Sequence, residues 1–253
     1  MCTLTIVPEC LETSSDSAYR LAFNRDEQHT RPIAQLPKVE VHGNKKVILP
    51  REPDGGGTWI AVSDAGLAFA LLNVNPPNRS GTVSGGLSRG VIIPALLSAD
   101  SIESVAGMLP TATQEVRRPF RLVVTDGRMC IEAVQGFGRM SCQMHDLIEP
   151  IMRSSSGLGD DVVEGPRRSL FESMFVDSDL SPISIQDQFH ASRILNHDEQ
   201  SVDMWREDAR TVSTAVITVT AVEIRMVYTP GAPREKAPGV PYALMRSQLP
   251  GAA

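Results

Sequence analysis

The segment that most constrains this chain is its first. In Cys2-Thr3-Leu4-Thr5-Ile6-Val7, polar and apolar residues alternate until Pro8 stops them. A period of two in a run of Thr, Leu, Ile and Val predicts a β-strand. The acidic, Ser-rich residues 9–17 read as a loop. Residues 19–24 form a second short strand, spaced from the first as a hairpin requires. The chain is expected to leave the sheet over 25–32, because Arg31 before Pro32 is confined to extended or turn geometry.

Hairpin signals continue downstream. Residues 46–49 form a short strand, and Arg51-Glu52-Pro53-Asp54-Gly55-Gly56-Gly57 is a turn, since three glycines cannot serve a strand interior. Residues 58–63 and 66–72 are joined at Asp64-Ala65. Residues 121–125 and 129–134 flank Asp126-Gly127, the clearest hairpin turn in the chain. Between these pairs, residues 73–87 form a loop rich in Asn, Pro, Gly and Ser. Residues 91–98 are apolar enough for a buried helix with Pro94 in its first turn. Asp100 is expected to cap a helix over 101–109, with Glu103 closing an approximate capping box. Glycines 136 and 138 loosen the chain before a strand at 140–147, and 154–163 read as an irregular loop.

Pro166 suits the first position of a helix. On that helix Leu170, Phe171, Met174 and Phe175 share one apolar face, and residues 183–194 form another helix. Residues 212–220 and 222–228 make a final β pair. Five prolines and no strong period predict an extended tail or wrapping arm over 230–253. Sequential hairpins predict antiparallel sheets, and helices arriving in groups predict outer layers rather than βαβ alternation. The expectation is an α+β protein with a single domain over 1–229.

The 253 residues are 42% hydrophobic and 21% charged, enough for one substantial core. A net charge of −6 with no basic stripe argues against a nucleic-acid partner. Cys2, Cys10, Cys130 and Cys142 form no Cys-x-x-Cys pair. Neither a disulfide scaffold nor a Cys-rich zinc site is expected, and a reducing compartment fits. Residues 1–20 lack the basic and apolar regions of a signal peptide, and no apolar run approaches the roughly 18 residues of a transmembrane helix. A soluble, cytoplasmic protein is expected, with its oligomeric state open. The histidines at 29, 42, 145, 190 and 197 make no His-x-His or His-x-x-x-His pair, so no metal site is expected.

The chemistry begins at Cys2. Removal of the initiator Met is favoured before a small residue. It would leave one residue carrying a thiol and a free α-amine, with ordinary pKa values of about 8.5 and about 7.7–8.0. A nucleophile beside a base of suitable pKa is what covalent catalysis needs. The plainer alternative is a small residue that happens to stand second in an edge strand.

Several motifs, in order, resemble the NRDE family, also called the transport-and-Golgi-organisation family. They are Met1-Cys2-Thr3, Phe23-Asn24-Arg25-Asp26-Glu27, Arg31-Pro32 and Gly56-Gly57-Thr58-Trp59-Ile60-Ala61-Val62-Ser63. Ala70-Leu71-Leu72-Asn73, Ser88-Arg89-Gly90 and Arg210-Thr211-Val212-Ser213-Thr214-Ala215-Val216 continue the resemblance, which spans the chain through about residue 229. It implies a four-layer αββα sandwich of two mainly antiparallel sheets, the N-terminal-nucleophile hydrolase type of fold. Cys2 would then open a central strand. Animal members are linked to mitochondrial and Golgi function, lipid metabolism and haem mobilisation. The chain departs from the family pattern in the middle. There it reads Ser154-Ser155-Ser156-Gly157-Leu158-Gly159-Asp160 and Gly165-Pro166-Arg167, without the Asn and Trp found in many members.

The implied reaction is hydrolysis of a non-peptide amide in a small or lipid-like substrate. Cys2 attacks, and its own amine manages the proton. Arg25 is the candidate cation favouring thiolate, and Asp26 the candidate partner of the amine. Asn24 and Asn73 are candidate oxyanion donors. Trp59, Arg89 and Arg210 are the expected substrate-binding residues, with Arg89 suited to an acidic group or to closing a loop. Against this stand structural roles for Asn24, Arg25 and Asp26 at a strand end, since neighbours in a strand point to opposite faces, and a pairing of Asp26 or Glu27 with Arg31. No cofactor is expected for the hydrolase. The alternative function is a non-catalytic haem or acyl-lipid carrier on the same fold, with His29 as the nearest haem ligand in sequence.

Overall fold

In β1 (Cys2–Glu9), Leu4 and Ile6 face one way and Thr3 and Thr5 the other, yet all four are fully buried. The polar face is therefore covered rather than wet, and its hydroxyls must find partners within the protein. The computed structural model describes residues 2–9, 18–75, 85–136, 140–176 and 179–247. The expected loop at residues 10–17, much of the loop at 73–87 and the glycine-loosened residues 137–139 lie outside the described residues, as do Met1 and Cys10.

The chain continues through β2 (Ala18–Gln28), β3 (Gln35–His42), β4 (Lys45–Arg51), β5 (Ile60–Ser63) and β6 (Ala68–Asn73). Two helices, α1 (Ile92–Leu96) and α2 (Ile102–Thr113), lead to β7 (Phe120–Thr125), β8 (Met129–Gln135), β9 (Met140–Asp146) and β10 (Ile151–Ser155). Then come α3 (Asp160–Val176), α4 (Pro182–His190), β11 (Ala209–Val219), β12 (Glu223–Pro230) and β13 (Val240–Met245). The first sheet runs β10-β1-β2-β11-β12-β13 and the second β3-β4-β5-β6-β7-β8-β9. Their strand pairings are antiparallel.

One core lies between the sheets, joining Leu4, Ile6, Leu21 and Phe23 to Ile60, Val62, Leu72 and Val123. A second binds α1 and α2 to the outer face of the second sheet through Ile92, Leu96, Val105 and Leu109 against Phe69 and Leu122. Helices α3 and α4 cover the outer face of the first sheet, with Phe171 and Phe189 packed on Met152. The result is a four-layer αββα sandwich. Among the described residues, no helix is long and apolar enough to cross a membrane.

Several elements differ from expectation. β2 does not end at Asn24; it runs to Gln28 because β11 continues the ladder through Arg210↔Glu27 and Ala209↔Gln28. β3 is an edge strand that tolerates Pro37 because one side needs no donors, and its register shifts between Gln35 and Lys38. Helix α2 is capped by Ser101 rather than Asp100, with Ser104 rather than Glu103 closing the box. Residues 154–163 are not one loop, since Ser154 and Ser155 end β10 and Asp160 starts α3. Pro166 lies inside that helix rather than at its first position. The Asp160 carboxylate instead fixes the helix start by accepting from the Ser156 and Asn75 backbone amides at 2.7 and 2.9 Å. Within the tail or wrapping arm expected over 230–253, Val240–Met245 pairs with β12 as a further strand.

Candidate active site

Cys2 begins β1 between two neighbours, opposite Ser155 of β10 and Arg25 of β2. Its side chain faces the space between the sheets and is 8% exposed. Burial pushes the Cys2 thiol above its ordinary pKa, and the Asp26 charge adds to this. The Arg25 guanidinium and the Asp26 backbone N–H pull the other way. At neutral pH the residue therefore rests as a thiol, and attack requires a base to take its proton.

Arg25 shares this face because residues directly opposite in a ladder project to the same side. Its guanidinium lies 4.4 Å from the centre of the Trp59 ring, a cation–π geometry. It pairs closely with Glu52 and at 3.4 Å with Glu27, while Arg31 reaches Glu27 at 2.8 Å and Glu52 at 3.7 Å. These four charges form a cross-linked rim. The rim borders a cavity of about 120 Å³ lined also by Cys2, Thr58, Trp59, Asn73, Arg89 and Arg118. Arg25, Glu27 and Arg31 also line a neighbouring cavity of about 360 Å³, walled by Ile33, Ala34, Leu36, Val212, Tyr228 and Arg210.

Two glycine-containing motifs place Arg89. A Cβ on Gly57 would lie 2.8 Å from the Gly90 Cα, so the two backbones touch only because both residues are glycine. Thr58 N donates to the Gly90 carbonyl at 3.1 Å across the same contact. The Ser88-Arg89-Gly90 turn is thereby pressed against the segment carrying Trp59. Arg89 donates to the Pro119 carbonyl at 3.0 Å. Burial lowers its pKa to about 10, and the Arg118 and Arg31 charges push the same way.

The other face of β1 and β2 meets the helices. Asp26 is fully buried there, accepting from the Thr211 hydroxyl at 2.7 Å and lying 3.8 Å from the Arg167 guanidinium. Arg167, from α3, is itself 1% exposed. It donates to Thr3 Oγ1 at 2.7 Å, Ser154 Oγ at 3.0 Å, and the Ser201 and Gln200 carbonyls at 2.7 and 3.0 Å. Burial raises the Asp26 pKa against the pull of Arg167, and burial likewise lowers that of Arg167.

Asn24 is committed to this outer layer. Its amide donates to the His190 and Val202 carbonyls at 2.8 and 3.0 Å. His190 is buried, and desolvation pushes its pKa down to about 3, so the ring is neutral. Asn24 Oδ1, 2.9 Å from Nδ1, can only accept, so Nδ1 carries the proton. Nε2 then accepts from the Thr5 hydroxyl at 2.7 Å, whose oxygen accepts from Gln186 at 2.8 Å.

Of the residues singled out in the sequence, Cys2, Arg25, Asn73, Trp59 and Arg89 converge on the smaller cavity. Asn24 does not, because the strand pleat turns it to the helices. Asp26 turns the same way, although its backbone amide reaches the Cys2 sulfur. Arg210 lines the larger cavity and pairs with Glu235 at 2.6 Å. Of the two acids weighed as partners for Arg31, Glu27 makes the pair. His29 is exposed, stands 3.2 Å from the Arg206 carbonyl and lines neither cavity. At about 120 Å³ the Cys2 cavity is small beside the roughly 300–1,000 Å³ of cofactor pockets. Sequence reading missed Glu52, Arg118 and Arg167. Glu27 and Arg31 carried a signal, being charged residues of the Asn24-Arg25-Asp26-Glu27 and Arg31-Pro32 motifs.

A family model described as Transport and Golgi organisation 2 matches residues 1–178. A mouse protein, Transport and Golgi organization 2 homolog, is 31% identical over 119 residues, covering 44% of this chain and 41% of that protein. The chain thus matches less than half the length of this relative. Among solved structures, a Caenorhabditis elegans N-acylethanolamine-hydrolyzing acid amidase ortholog aligns with a TM-score of 0.53 at 9% identity, covering 86% of this chain and 92% of that one. A single-residue variant of conjugated bile acid hydrolase from Clostridium perfringens aligns with a TM-score of 0.50 at 14% identity, covering 90% and 89%. At these identities the likeness is one of fold.

Proposed function

The chain belongs to the Transport and Golgi organisation 2 family, and from that premise we propose that it is a cysteine amidohydrolase whose nucleophile is Cys2. The observation that carries the reading is the meeting of the Cys2 thiol with Asn73 and Arg25 in one cavity. The two similar structures support it, one named for hydrolysing N-acylethanolamines as an amidase and the other for hydrolysing conjugated bile acids.

In this reading, removal of Met1 frees the Cys2 α-amine. The amine takes the thiol proton, directly or through water, and sulfur attacks the amide carbonyl. The Asn73 side-chain N–H donates to the oxyanion. The C–N bond then breaks, the leaving amine takes the proton back from the ammonium, and a thioester remains. Water, deprotonated by the same amine, hydrolyses the thioester and regenerates the thiol. The Arg25 charge favours the thiolate, and the Asp26 carboxylate orients the amine through the first sheet. A reducing compartment, the cytoplasm, keeps Cys2 a thiol.

The larger cavity, with Ile33, Ala34, Leu36 and Tyr228 in its wall, suits an apolar acyl segment. It equally suits a second reading, in which the protein carries an acyl lipid without cleaving it. Intact mass of the purified protein and release of amine from N-octanoyl amides separate the two. Loss of Met1 with turnover abolished by Cys2→Ala supports the hydrolase. Retained Met1 sinks the free-amine mechanism, and acyl-lipid binding without turnover in either protein supports the carrier.

A further inference from the structure

The charges around the Cys2 cavity do not balance. Arg25 and Arg31 face Glu27 and Glu52 and are paired with both. Arg89 and Arg118 line the same cavity, and among the described residues neither has a carboxylate partner. The only hydrogen bond of Arg89 to a described residue goes to the neutral Pro119 carbonyl. Trp59, in the wall of the same cavity, has a buried indole N–H with no acceptor among the described residues. Two cations in excess of the two carboxylates of one cavity, beside an unused donor, are the composition of an anion site. The Gly57–Gly90 backbone contact fixes the turn that carries Arg89, so the cation is held beside the cavity rather than swinging into solvent.

We propose that the Cys2 cavity selects ligands bearing a carboxylate or phosphoryl group, that Arg89 and Arg118 hold that group with the Trp59 N–H close by, and that the preferred substrates are therefore anionic amides. The amide half of this rests on the hydrolase reading above; the anion site does not. In this arrangement the anion sits near the scissile bond, and the apolar part of the ligand extends past the Arg25–Glu52 rim toward the larger cavity. The Arg89 guanidinium is suited to grip two oxygens of one anion in a forked geometry, which a neutral amide or alcohol cannot offer.

The test is calorimetric titration of the full chain carrying Cys2→Ala, which has no nucleophile at that position and so cannot turn the ligands over. The four ligands are N-octanoylglycine, N-octanoylethanolamine O-phosphate, and their uncharged counterparts N-octanoylglycinamide and N-octanoylethanolamine. At least one charged ligand is expected to bind about tenfold more tightly than its uncharged counterpart, or better. Which of them does so distinguishes a carboxylate source from a phosphate source. Adding Arg89→Gln is expected to remove the difference. Arg118→Gln, a change at an exposed position, is expected to reduce it without altering the melting temperature. Equal affinity for charged and uncharged ligands, no binding of any, or a preference that survives both substitutions overturns the inference. Tight binding of a charged amide that the protein with Cys2 intact does not cleave leaves the anion site standing and removes the hydrolase. Turnover confined to the uncharged amides does the reverse.

Discussion

Cys2 and Arg25 stand directly opposite one another on β1 and β2, sulfur and guanidinium on the face between the sheets. Asp26, one residue further, turns its carboxylate to Arg167 on the opposite face. The pleat thus divides one charged tetrapeptide between two environments. Arg25 acts on the thiol across the cavity, and Asp26 acts from behind the sheet.

The Arg25 charge lowers the Cys2 pKa against burial. Arg25→Met is therefore expected to move the pH profile of Cys2 alkylation by iodoacetamide to higher pH, with slower reaction at pH 8. The exposed Cys142 is an internal reference whose rate stays unchanged. An unmoved profile would show that the pair is only structural.

The backbone contact between Gly57 and Gly90 leaves no room for a methyl group. Gly57→Ala is expected to cost about 1–3 kcal/mol, as overpacking does, read by urea unfolding. Gly55, where an added Cβ meets nothing within 4 Å, is the control. Gly55→Ala should change stability by less than about 0.5 kcal/mol. Equal effects at both sites would remove the contact from the account of how Arg89 is placed.

Arg167 compensates a carboxylate sealed from water. Arg167→Met leaves Asp26 buried without its cation and is expected to destabilise by about 3–5 kcal/mol. Adding Asp26→Asn should recover part of that loss, because the uncompensated charge is gone. Single and double variants whose losses simply add would mean that the two residues are not coupled.

His190 is held neutral, its pKa pushed down to about 3 against an ordinary value near 6.5. A depressed folded pKa contributes stability that is complete above about pH 6.5 and is lost as pH falls toward 3. From pH 7 to pH 5 this one group is expected to withdraw about 2 kcal/mol. His190→Gln should be less stable at pH 7 and should lose about that much less on acidification. Parallel pH dependence in the two proteins would contradict the buried neutral ring.

The two asparagines should separate. Asn73 lines the Cys2 cavity, and Asn73→Ala is expected to lower turnover of N-octanoyl amides by about 10²–10³, the effect of losing one oxyanion donor, with little change in stability. Asn24→Ala strands His190 and two carbonyls and is expected to cost about 1–3 kcal/mol of stability. A loss of turnover on Asn24→Ala, with stability unchanged, would reverse the assignment.

Much of the fold was legible because strand signals are local. Period-two alternation marked β1, Asp126-Gly127 marked the turn between β7 and β8, and the three glycines at 55–57 marked a turn. Where β2 ends was not legible, because Arg25–Gln28 is kept in the sheet by ladder bonds from β11, far along the chain. The capping of α2 was misread by one residue, since Asp and Ser are both good caps and only the backbone geometry chooses between them.

The sequence by itself determined that Cys2 starts a strand, that a charged and polar run follows the apolar part of the next, and that Gly57 belongs to a turn. Each of these depends on residues a few positions apart. Only the tertiary structure decided which side of the sheet each of Asn24, Arg25 and Asp26 serves, and that Glu52, Arg118 and Arg167 join them. Strand register and the stacking of four layers bring these groups together from distant parts of the chain. Burial then raises the cost of any unmatched charge or donor, so it is the assembled layers, not the local pattern, that leave Arg89 without a carboxylate partner of its own among the described residues and the Trp59 N–H without an acceptor there.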